Sequence, residues 1–165
     1  MLYFPTIIAA FGKDNHVIGN HGRLPWSLPE EYEHFRRTIA GGVMVMGRVS
    51  YDIFGDDLTT FCDIVVSTTL TQPPVGKRPV QLASGLTEAV RLAGVYDRPI
   101  FIGGGRRIYQ EAIDGGLANS MILSFIHAHY DGDTAFPDFD LEQWKVMTRE
   151  PHGEFTVVRY RRIER

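Results

Sequence analysis

Glu31 has the surroundings expected of a carboxylate that binds a flat, hydrogen-bonding ligand. Leu28, Tyr32, Phe35 and Ile39 recur at helical spacing and predict an apolar stripe along one helix face. At about 100° per residue, Glu31 falls roughly 60° from Leu28, at the border of that stripe. A half-buried carboxylate there could accept two parallel hydrogen bonds from an amidine-like edge. From the helix pattern alone, the favoured interpretation is an exposed acid that complements the helix dipole.

A glycine-punctuated loop, residues 19–26, precedes this helix and ends in Pro25-Trp26. A loop of this kind can close over a binding site, and the Trp26 indole brings one hydrogen-bond donor to it. Ser27 and Glu30 have the spacing of a capping box, which predicts that the helix begins directly after Ser27. The loop shifts the balance toward the interpretation of Glu31 as a ligand-binding residue.

The glycine triplet 103–105 lies between an apolar run and a helical pattern. Backbone N–H groups in such a turn can approach an anion at the helix N-terminus. The spacing does not fit a dinucleotide-binding fingerprint, because Ile108 stands where the third glycine would be required. A tight strand-to-helix turn that needs a positive φ explains the triplet equally well.

Two other segments offer groups that suit a phosphate monoester. Arg48 follows Gly47 at the end of one predicted strand, and Ser67 and Thr68 close another. The carboxyl ends of parallel strands are where open α/β sheets bind ligands. Each of these residues could also be an ordinary loop residue.

Apolar runs and helical periodicity predict the elements that must position these groups. Strands are expected at 3–11, 43–46, 64–67 and 99–102, and helices at 28–39, 50–54, 86–93 and 106–113. Three further strands are expected at 120–129, 144–149 and 155–162, the last two joined by a turn at 151–153. The predicted fold is an α/β three-layer sandwich, with a mainly parallel central sheet and an antiparallel C-terminal hairpin, in a single domain spanning 1–165.

The composition argues against several other classes of function. Lys and Arg number 17 and Asp and Glu number 20, so the formal net charge of −3 does not favour nucleic-acid binding. We expect Arg159, Arg161, Arg162 and Arg165 to be the exposed end of the last strand. The only cysteine, Cys62, excludes an intramolecular disulfide and a cysteine-cluster zinc site.

Metal binding and membrane insertion are not predicted either. His127 and His129 share one face of a predicted strand, but a solvated strand face is the simpler interpretation, so we expect no metal. A basic leader and a long apolar run are both missing. These features predict a cytoplasmic protein, and a monomer is the default expectation.

Four motifs, taken in chain order, indicate a family, and the first and last of them are the specific ones. The four are Leu24-Pro25-Trp26-Ser27-Leu28-Pro29-Glu30-Glu31, Met46-Gly47-Arg48, Val66-Ser67-Thr68 and Gly132-Asp133-Thr134-Ala135-Phe136-Pro137. The chain resembles the dihydrofolate reductases over nearly its whole length. The resemblance implies an NADPH-dependent reduction of 7,8-dihydrofolate to 5,6,7,8-tetrahydrofolate, with hydride transfer to C6 and protonation at N5.

The resemblance also implies roles for individual residues. The implied catalytic group is Glu31, Trp26, Leu24 and Ser124: Glu31 anchors the pterin, Trp26 positions water, Leu24 closes over the nicotinamide and Ser124 hydrogen-bonds the carboxylate. Asp133 would tether the closed loop. The implied substrate-binding residues are Ile8, Ala9, Glu31, Tyr32, Phe35, Arg36, Phe54, Ile102 and Tyr109. The implied NADPH-binding residues are Ala10, Ile18, Gly19, Gly47, Arg48, Val49, Ser50, Ser67, Thr68, Ile102, Gly103, Gly104, Gly105, Arg106 and Tyr109.

Three departures from the family pattern bear on the site. Phe61 stands where the family usually has an arginine that pairs with the substrate's glutamate α-carboxylate, which predicts weakened recognition of the glutamate tail. Arg36 is the candidate that could partly replace the missing arginine as the partner of that carboxylate. The Arg106-Arg107 pair and the segment 13–16 are each one residue longer than the commoner spacing, which affects the phosphate contacts and the loop respectively.

Phe61 keeps an alternative open, a related reductase that acts on another dihydropterin or on a pyrimidine of riboflavin synthesis. Trp26 and Glu31 together argue against the pyrimidine. A third interpretation is a folate- or nucleotide-sequestering domain without turnover, and the presence of candidates for every chemical role argues against it.

Overall fold

The computed structural model describes residues 4–164, which form two sheets and four α-helices. The strands are β1 (Thr6–Gly12), β2 (Val17–Gly19), β3 (Val43–Gly47), β4 (Cys62–Val66), β5 (Val80–Ala83), β6 (Ile100–Ile102), β7 (Ser120–Ile126), β8 (Thr134–Ala135), β9 (Trp144–Pro151) and β10 (Phe155–Arg162). The helices are α1 (Pro29–Ile39), α2 (Arg48–Phe54), α3 (Leu86–Ala93) and α4 (Arg106–Asp114).

Eight strands form the main sheet in the order β5-β4-β3-β6-β1-β7-β10-β9. All pairs from β5 to β7 are parallel, whereas β10 runs antiparallel to both β7 and β9. β1 pairs with β6 and β7, and both of these neighbours come from the second half of the chain. The predicted parallel sheet with an antiparallel C-terminal hairpin is confirmed.

Two apolar layers cover the sheet, because its central strands carry hydrophobic side chains on both faces. One layer packs α3 and α4 against residues such as Ile7 and Val45, and the other packs α1 and α2 against Ile8 and Met44. Every residue from Val43 to Met46 is fully buried. This burial agrees with the prediction of central strands covered on two sides.

Three short strands were not predicted. β2 and β8 pair with each other in a separate two-stranded sheet, and β5 extends the edge of the main sheet after the loop 71–79. β2 and β8 have only three and two residues, too few for a hydrophobic period to be recognised.

The predicted capping box at the start of α1 is wrong. The helix begins at Pro29, its N-cap is Leu28, and no side chain caps it. The first helical bond runs from the Tyr32 amide to the Leu28 carbonyl at 3.0 Å. Ser27 therefore lies one residue too early for its hydroxyl to satisfy a helical amide, and Pro29 removes one unsatisfied donor instead.

A buried ion pair fastens the loop 71–79 to the sheet. Arg78 donates through Nε and Nη2 to the Asp63 carboxylate at 3.1 and 3.0 Å, and its Nη2 also donates to the Gly55 carbonyl. Asp63 is fully buried, and Thr60 donates a third hydrogen bond to it. Burial raises the pKa of Asp63, while Thr60 and Arg78 oppose that rise.

The arginines of the last strand differ from the expectation at two positions, since Arg159 and Arg162 are not exposed. Arg162 is half-buried, and its guanidinium lies 4.3 Å from the centroid of the Trp144 ring. It donates to the carbonyls of Ala118 and Ile113 at 2.9 and 3.1 Å, so it joins the hairpin to the rest of the fold. The predicted strand residue Tyr3 and the terminal Arg165 lie outside the described residues. Between residues 4 and 164, none of the helices has the length and apolar character needed to cross a bilayer.

Candidate active site

Two adjoining clefts lie beside the carboxyl ends of the parallel strands. The first, here called the acid cleft, has a volume of about 760 Å³ and contains Glu31. The second, called the basic cleft, has a volume of about 1410 Å³ and contains Arg48, Arg106 and Arg107. The two clefts share Ile18 and Ser50 among their wall residues, so ligands in them would touch.

Glu31 is the one acidic residue among those that line the acid cleft within residues 4–164, and only 6% of it is exposed. Its helix position turns it toward the sheet, where Ser124 of β7 stands beside it. Burial raises the pKa of Glu31 to about 7, and a hydrogen bond from the Ser124 side chain opposes this rise. A carboxyl group in this state exchanges a proton near neutral pH, which suits acid–base chemistry.

The loop 19–26 supplies one wall of the acid cleft through Leu24 and Trp26. The Trp26 ring packs against Tyr130 with centroids 5.1 Å apart. The loop is also tied down at its middle, because the His21 amide donates to the Asp133 carboxylate at 3.1 Å. That bond and one from the Thr134 hydroxyl at 2.9 Å lower the pKa of Asp133.

Aromatic rings and a hydrogen bond close one end of the acid cleft. The ring centroids of Tyr32, Phe35 and Phe54 lie 5.7–6.3 Å apart, so α1 and α2 meet there. Tyr32 donates from its hydroxyl to the Asp57 carboxylate at 2.6 Å, and burial together with this carboxylate raises the pKa of Tyr32. Arg36 donates from Nε to the Asp57 carbonyl at 2.9 Å. We call the first of these contacts the Tyr32–Asp57 bridge.

The glycine triplet lies where the clefts meet, and side chains would not fit at its first two positions. A Cβ on Gly103 would lie 2.6 Å from the Met44 sulfur, and one on Gly104 would lie 2.9 Å from the Ser50 hydroxyl oxygen. Gly104 also has a φ of 113°, in the region that favours glycine. Close by, the Tyr109 hydroxyl donates to the Ile8 carbonyl at 2.8 Å, and burial and the nearby Glu31 raise the pKa of Tyr109.

The basic cleft combines guanidinium groups with hydroxyls. Its wall contains Arg48, Arg106 and Arg107 together with Ser67, Thr68, Thr69 and Ser84. Ser67 holds the turn after β4, since its hydroxyl accepts hydrogen bonds from the Thr69 and Leu70 amides at 3.2 and 3.1 Å. Arg106 donates to the Ala135 carbonyl at 2.9 Å. Cations and hydroxyl donors in one open groove form a suitable site for a phosphorylated ligand.

Most residues expected at the site lie on the walls of these clefts. The acid cleft includes Ile8, Ala9, Ala10, Ile18, Leu24, Trp26, Glu31, Tyr32, Phe35, Ser50, Phe54, Gly103, Gly104, Gly105, Tyr109 and Ser124. The basic cleft includes Ile18, Gly19, Gly47, Arg48, Val49, Ser50, Ser67, Thr68, Gly105 and Arg106. Two expected residues lie apart: Ile102 is fully buried in the sheet, and Arg36 lines neither cleft.

The sequence interpretation missed several wall residues. His34, Ile53 and Ile122 line the acid cleft, and Thr69, Ser84 and Arg107 line the basic cleft. Helical spacing could have identified two of them, because His34 lies three residues after Glu31 and Ile53 three residues after Ser50. Ile122 comes from β7, and nothing local in its sequence relates it to α1.

Phe61, the main departure from the family pattern, does not line either cleft. Its ring lies 5.9 Å from the Tyr96 ring, and the Arg98 guanidinium lies 3.9 Å from its centroid. Arg98 also donates to the Gly41 carbonyl at 3.0 Å. Within residues 4–164, no Lys or Arg lines the acid cleft.

Comparisons with known proteins agree on one family. A family model described as dihydrofolate reductase matches residues 5–163. Dihydrofolate reductase HdrB of Haloferax volcanii is 30% identical over 164 residues, covering 94% of this chain and 82% of that protein. Dihydrofolate reductase type 3 of Salmonella typhimurium is 33% identical over 147 residues, covering 89% and 86%. The fold is similar to that of an Enterococcus faecalis dihydrofolate reductase solved with NADP(H) and RAB-propyl, with a TM-score of 0.83, 24% identity, and 99% and 100% coverage.

Proposed function

This chain belongs to the dihydrofolate reductase family, whose members reduce 7,8-dihydrofolate to 5,6,7,8-tetrahydrofolate at the expense of NADPH, and we propose that Glu31 is the residue on which this reduction depends. The supporting observation is a carboxyl group with a pKa of about 7, buried in an apolar cleft. Such a group binds the polar edge of a flat heterocycle and keeps a proton available at neutral pH.

Glu31 has two tasks in this proposal. In its ionised form, its two oxygens accept hydrogen bonds from the 2-amino group and ring nitrogen of the pterin, which orients the ring in the cleft. Reduction at C6 also requires a proton at N5. Glu31 keeps a proton available at neutral pH and holds the pterin ring in the orientation in which N5 receives it. Because Glu31 would hold the opposite edge of the ring, the proton reaches N5 through water, and Trp26 positions that water. Ser124 holds the carboxyl group in place.

The basic cleft has the chemistry that NADPH requires. When bound, NADPH supplies the hydride that reduces C6. Arg48, Ser67 and Thr68 offer one cation and two hydroxyls to a phosphate monoester, which favours NADPH over NADH. Gly103 and Gly104 allow the backbone to approach the cofactor where the clefts meet, since side chains at these two positions would collide with Met44 or Ser50. Leu24, in the loop wall, would close over the nicotinamide.

The pH dependence of turnover tests the role of Glu31. We expect kcat/KM for dihydrofolate to fall about tenfold per pH unit above pH 7, because the protonated form of Glu31 is lost there. Steady-state rates between about pH 4 and 9 measure the profile, a range that includes both the expected inflection and the ordinary glutamate value. In Ser124→Ala the inflection should move to higher pH, since the group that favours ionisation is gone. An inflection near the ordinary glutamate value of about 4.3 would contradict the proposal.

The Asp133 tether gives a second prediction. In Asp133→Ala the His21 amide and the Thr134 hydroxyl lose their acceptor, so the loop 19–26 should be less well held over the acid cleft. We expect turnover to fall roughly tenfold, the size of one charge-assisted hydrogen bond. Hydrogen exchange at the His21 amide should become faster. Asp131→Ala is the matched control, since Asp131 is an exposed acid that pairs with His129. Equal exchange in the two variants would exclude the tether.

The activity itself is tested by following NADPH oxidation with dihydrofolate as substrate. Turnover that requires dihydrofolate supports the proposal, whereas binding without turnover would identify a sequestering protein. Turnover with a riboflavin-pathway pyrimidine but not with dihydrofolate would favour the other reductase.

Both clefts are built by one copy of the chain, so we propose that a monomer acts on these small molecules in the cytoplasm. Size-exclusion chromatography tests whether the protein is a monomer.

A further inference from the structure

We propose that the Tyr32–Asp57 bridge is a selectivity gate that disfavours substrates with an anionic substituent, so that the chain uses dihydropterins with short or uncharged substituents at least as well as dihydrofolate. This inference rests on the proposed function, because it assumes that Glu31 holds one edge of the pterin. A substituent at C6 then leaves the ring on the side away from Glu31. Along α1, that side leads toward Phe35, one helical turn after Glu31.

Contacts between α1 and α2 narrow the exit for such a substituent. Phe35 on α1 and Phe54 on α2 have ring centroids 5.7 Å apart, so rings from the two walls are in contact. Tyr32 then spans from α1 to the Asp57 carboxylate in the turn after α2. Two further bonds brace the same junction, from Arg36 Nε to the Asp57 carbonyl at 2.9 Å and from Thr59 to the Arg36 carbonyl at 2.5 Å. A benzoyl-glutamate group must displace or pass this junction.

The charge at this junction is unfavourable for a carboxylate. Glu33, Asp56 and Asp57 are all exposed at or beside this junction; of the nearby cations, Arg36 contacts Asp57, whereas Arg78 reaches the same turn at Gly55 but is paired with the buried Asp63. The Arg36 guanidinium is already engaged by Glu33 at 3.4 Å and by the Asp57 carbonyl. Dihydrofolate carries two carboxylates on its glutamate, so those charges would come close to like charges and lack a free cation within the described part of the cleft.

Arg98 does not offset the negative charge at this junction. The Arg98 guanidinium lies over the Phe61 ring and donates to the Gly41 carbonyl, and neither Arg98 nor Phe61 lines the acid cleft. At the bridge, the positive group that offsets the acidic surroundings is therefore Arg36, which is already engaged by Glu33 and the Asp57 carbonyl. Repulsion between exposed charges is weakened by salt, with a screening length of about 10 Å at 0.1 M. Salt dependence is consequently a direct signature of the gate.

The test compares dihydrofolate with 6-methyl-7,8-dihydropterin, which has the same ring and no anionic tail. For the unmodified chain, we expect kcat/KM for dihydrofolate to be no higher than for the methyl compound, and to rise as salt is increased from about 20 to 200 mM. Asp57→Asn should raise the dihydrofolate-to-methyl ratio roughly fivefold and remove most of the salt effect. Asp138→Asn, the same change at an exposed aspartate that lines neither cleft, should leave both unchanged.

Three outcomes would overturn the gate. One is a strong preference for dihydrofolate in the unmodified chain, a second is a dihydrofolate rate that falls with salt, and a third is an equal effect of Asp57→Asn and Asp138→Asn. In each of these the methyl compound still turns over, so the proposed function stands. Turnover of neither compound would instead overturn the proposed function, and the gate with it.

Discussion

Replacing Glu31 with Gln is expected to lower kcat/KM for dihydrofolate by roughly 10²–10⁴-fold, the usual range for losing a positioned acid or base. Gln keeps the length of the side chain but cannot exchange a proton near neutral pH. One of its two terminal atoms is always a donor, so Gln, unlike the ionised carboxylate, cannot accept two parallel hydrogen bonds from an amidine-like edge. The loss should be largest at pH 5–7, where the original carboxyl group still holds its proton.

The fold should survive this change. Glu31 is buried mainly by the walls of a cleft, and burial disfavours its charged form, so a neutral amide of the same shape is tolerated. Thermal unfolding should therefore shift by only a few degrees. Glu30→Gln is the control, because Glu30 is the exposed neighbour on the same helix. Unchanged turnover in Glu31→Gln would refute the proposed role, and a collapse of thermal stability would indicate a structural one.

Replacing Arg78 with Met is expected to reduce the free energy of unfolding by about 3–5 kcal/mol, as is typical when one partner of a buried ion pair is removed. Asp63 has no exposed surface, so its charge would be left without a counterion inside the protein. The Gly55 carbonyl would lose a donor as well, which loosens the connection between α2 and β4. Urea unfolding at pH 7, followed by circular dichroism, measures the loss.

Two controls separate the buried charge from simple loss of packing. Burial already raises the pKa of Asp63, and removing Arg78 would raise it further. A group whose folded pKa is raised costs more stability as the pH rises, so the deficit of Arg78→Met should shrink toward pH 4 and grow toward pH 7. The double variant Asp63→Leu with Arg78→Met should recover much of the loss, because it leaves no buried charge. A deficit that is equal at all pH values would contradict this account.

The features that could be predicted from the sequence are those set by neighbouring residues. Four continuous apolar runs identified β1, β3, β4 and β6, and the helical stripe through Tyr32 and Phe35 identified α1. Turn residues located the final hairpin. β2 and β8 were missed because each is formed by pairing with the other, across more than a hundred residues of chain. The start of α1 was misplaced because Ser27 satisfies a pattern that the backbone at Leu28 does not follow.

Only the features of the site that depend on residues close together in the sequence could be predicted. The border position of Glu31 indicated a half-buried acid, yet Glu31 is almost fully buried, because β7 covers it with Ser124 from a distant part of the chain. The same limit applies to Asp57 and Tyr32, which are joined across a cleft, and to Arg78 and Asp63. None of these pairs follows from periodicity, since each depends on how separate elements pack. The roles of the site residues toward substrate and cofactor came from the resemblance of the motifs to a known family, because local patterns could not assign them.

The position of β1 at the centre of the sheet has a consequence for how the molecule is made. Both neighbours of β1 begin at or after Ile100, so a nascent chain that has released its first hundred residues still has an unpaired apolar strand. Ser124 also belongs to that late portion. Nearly the entire polypeptide must therefore be synthesised before a pocket for Glu31 exists. Until then, the apolar strand β1 is available to bind chaperones or to aggregate.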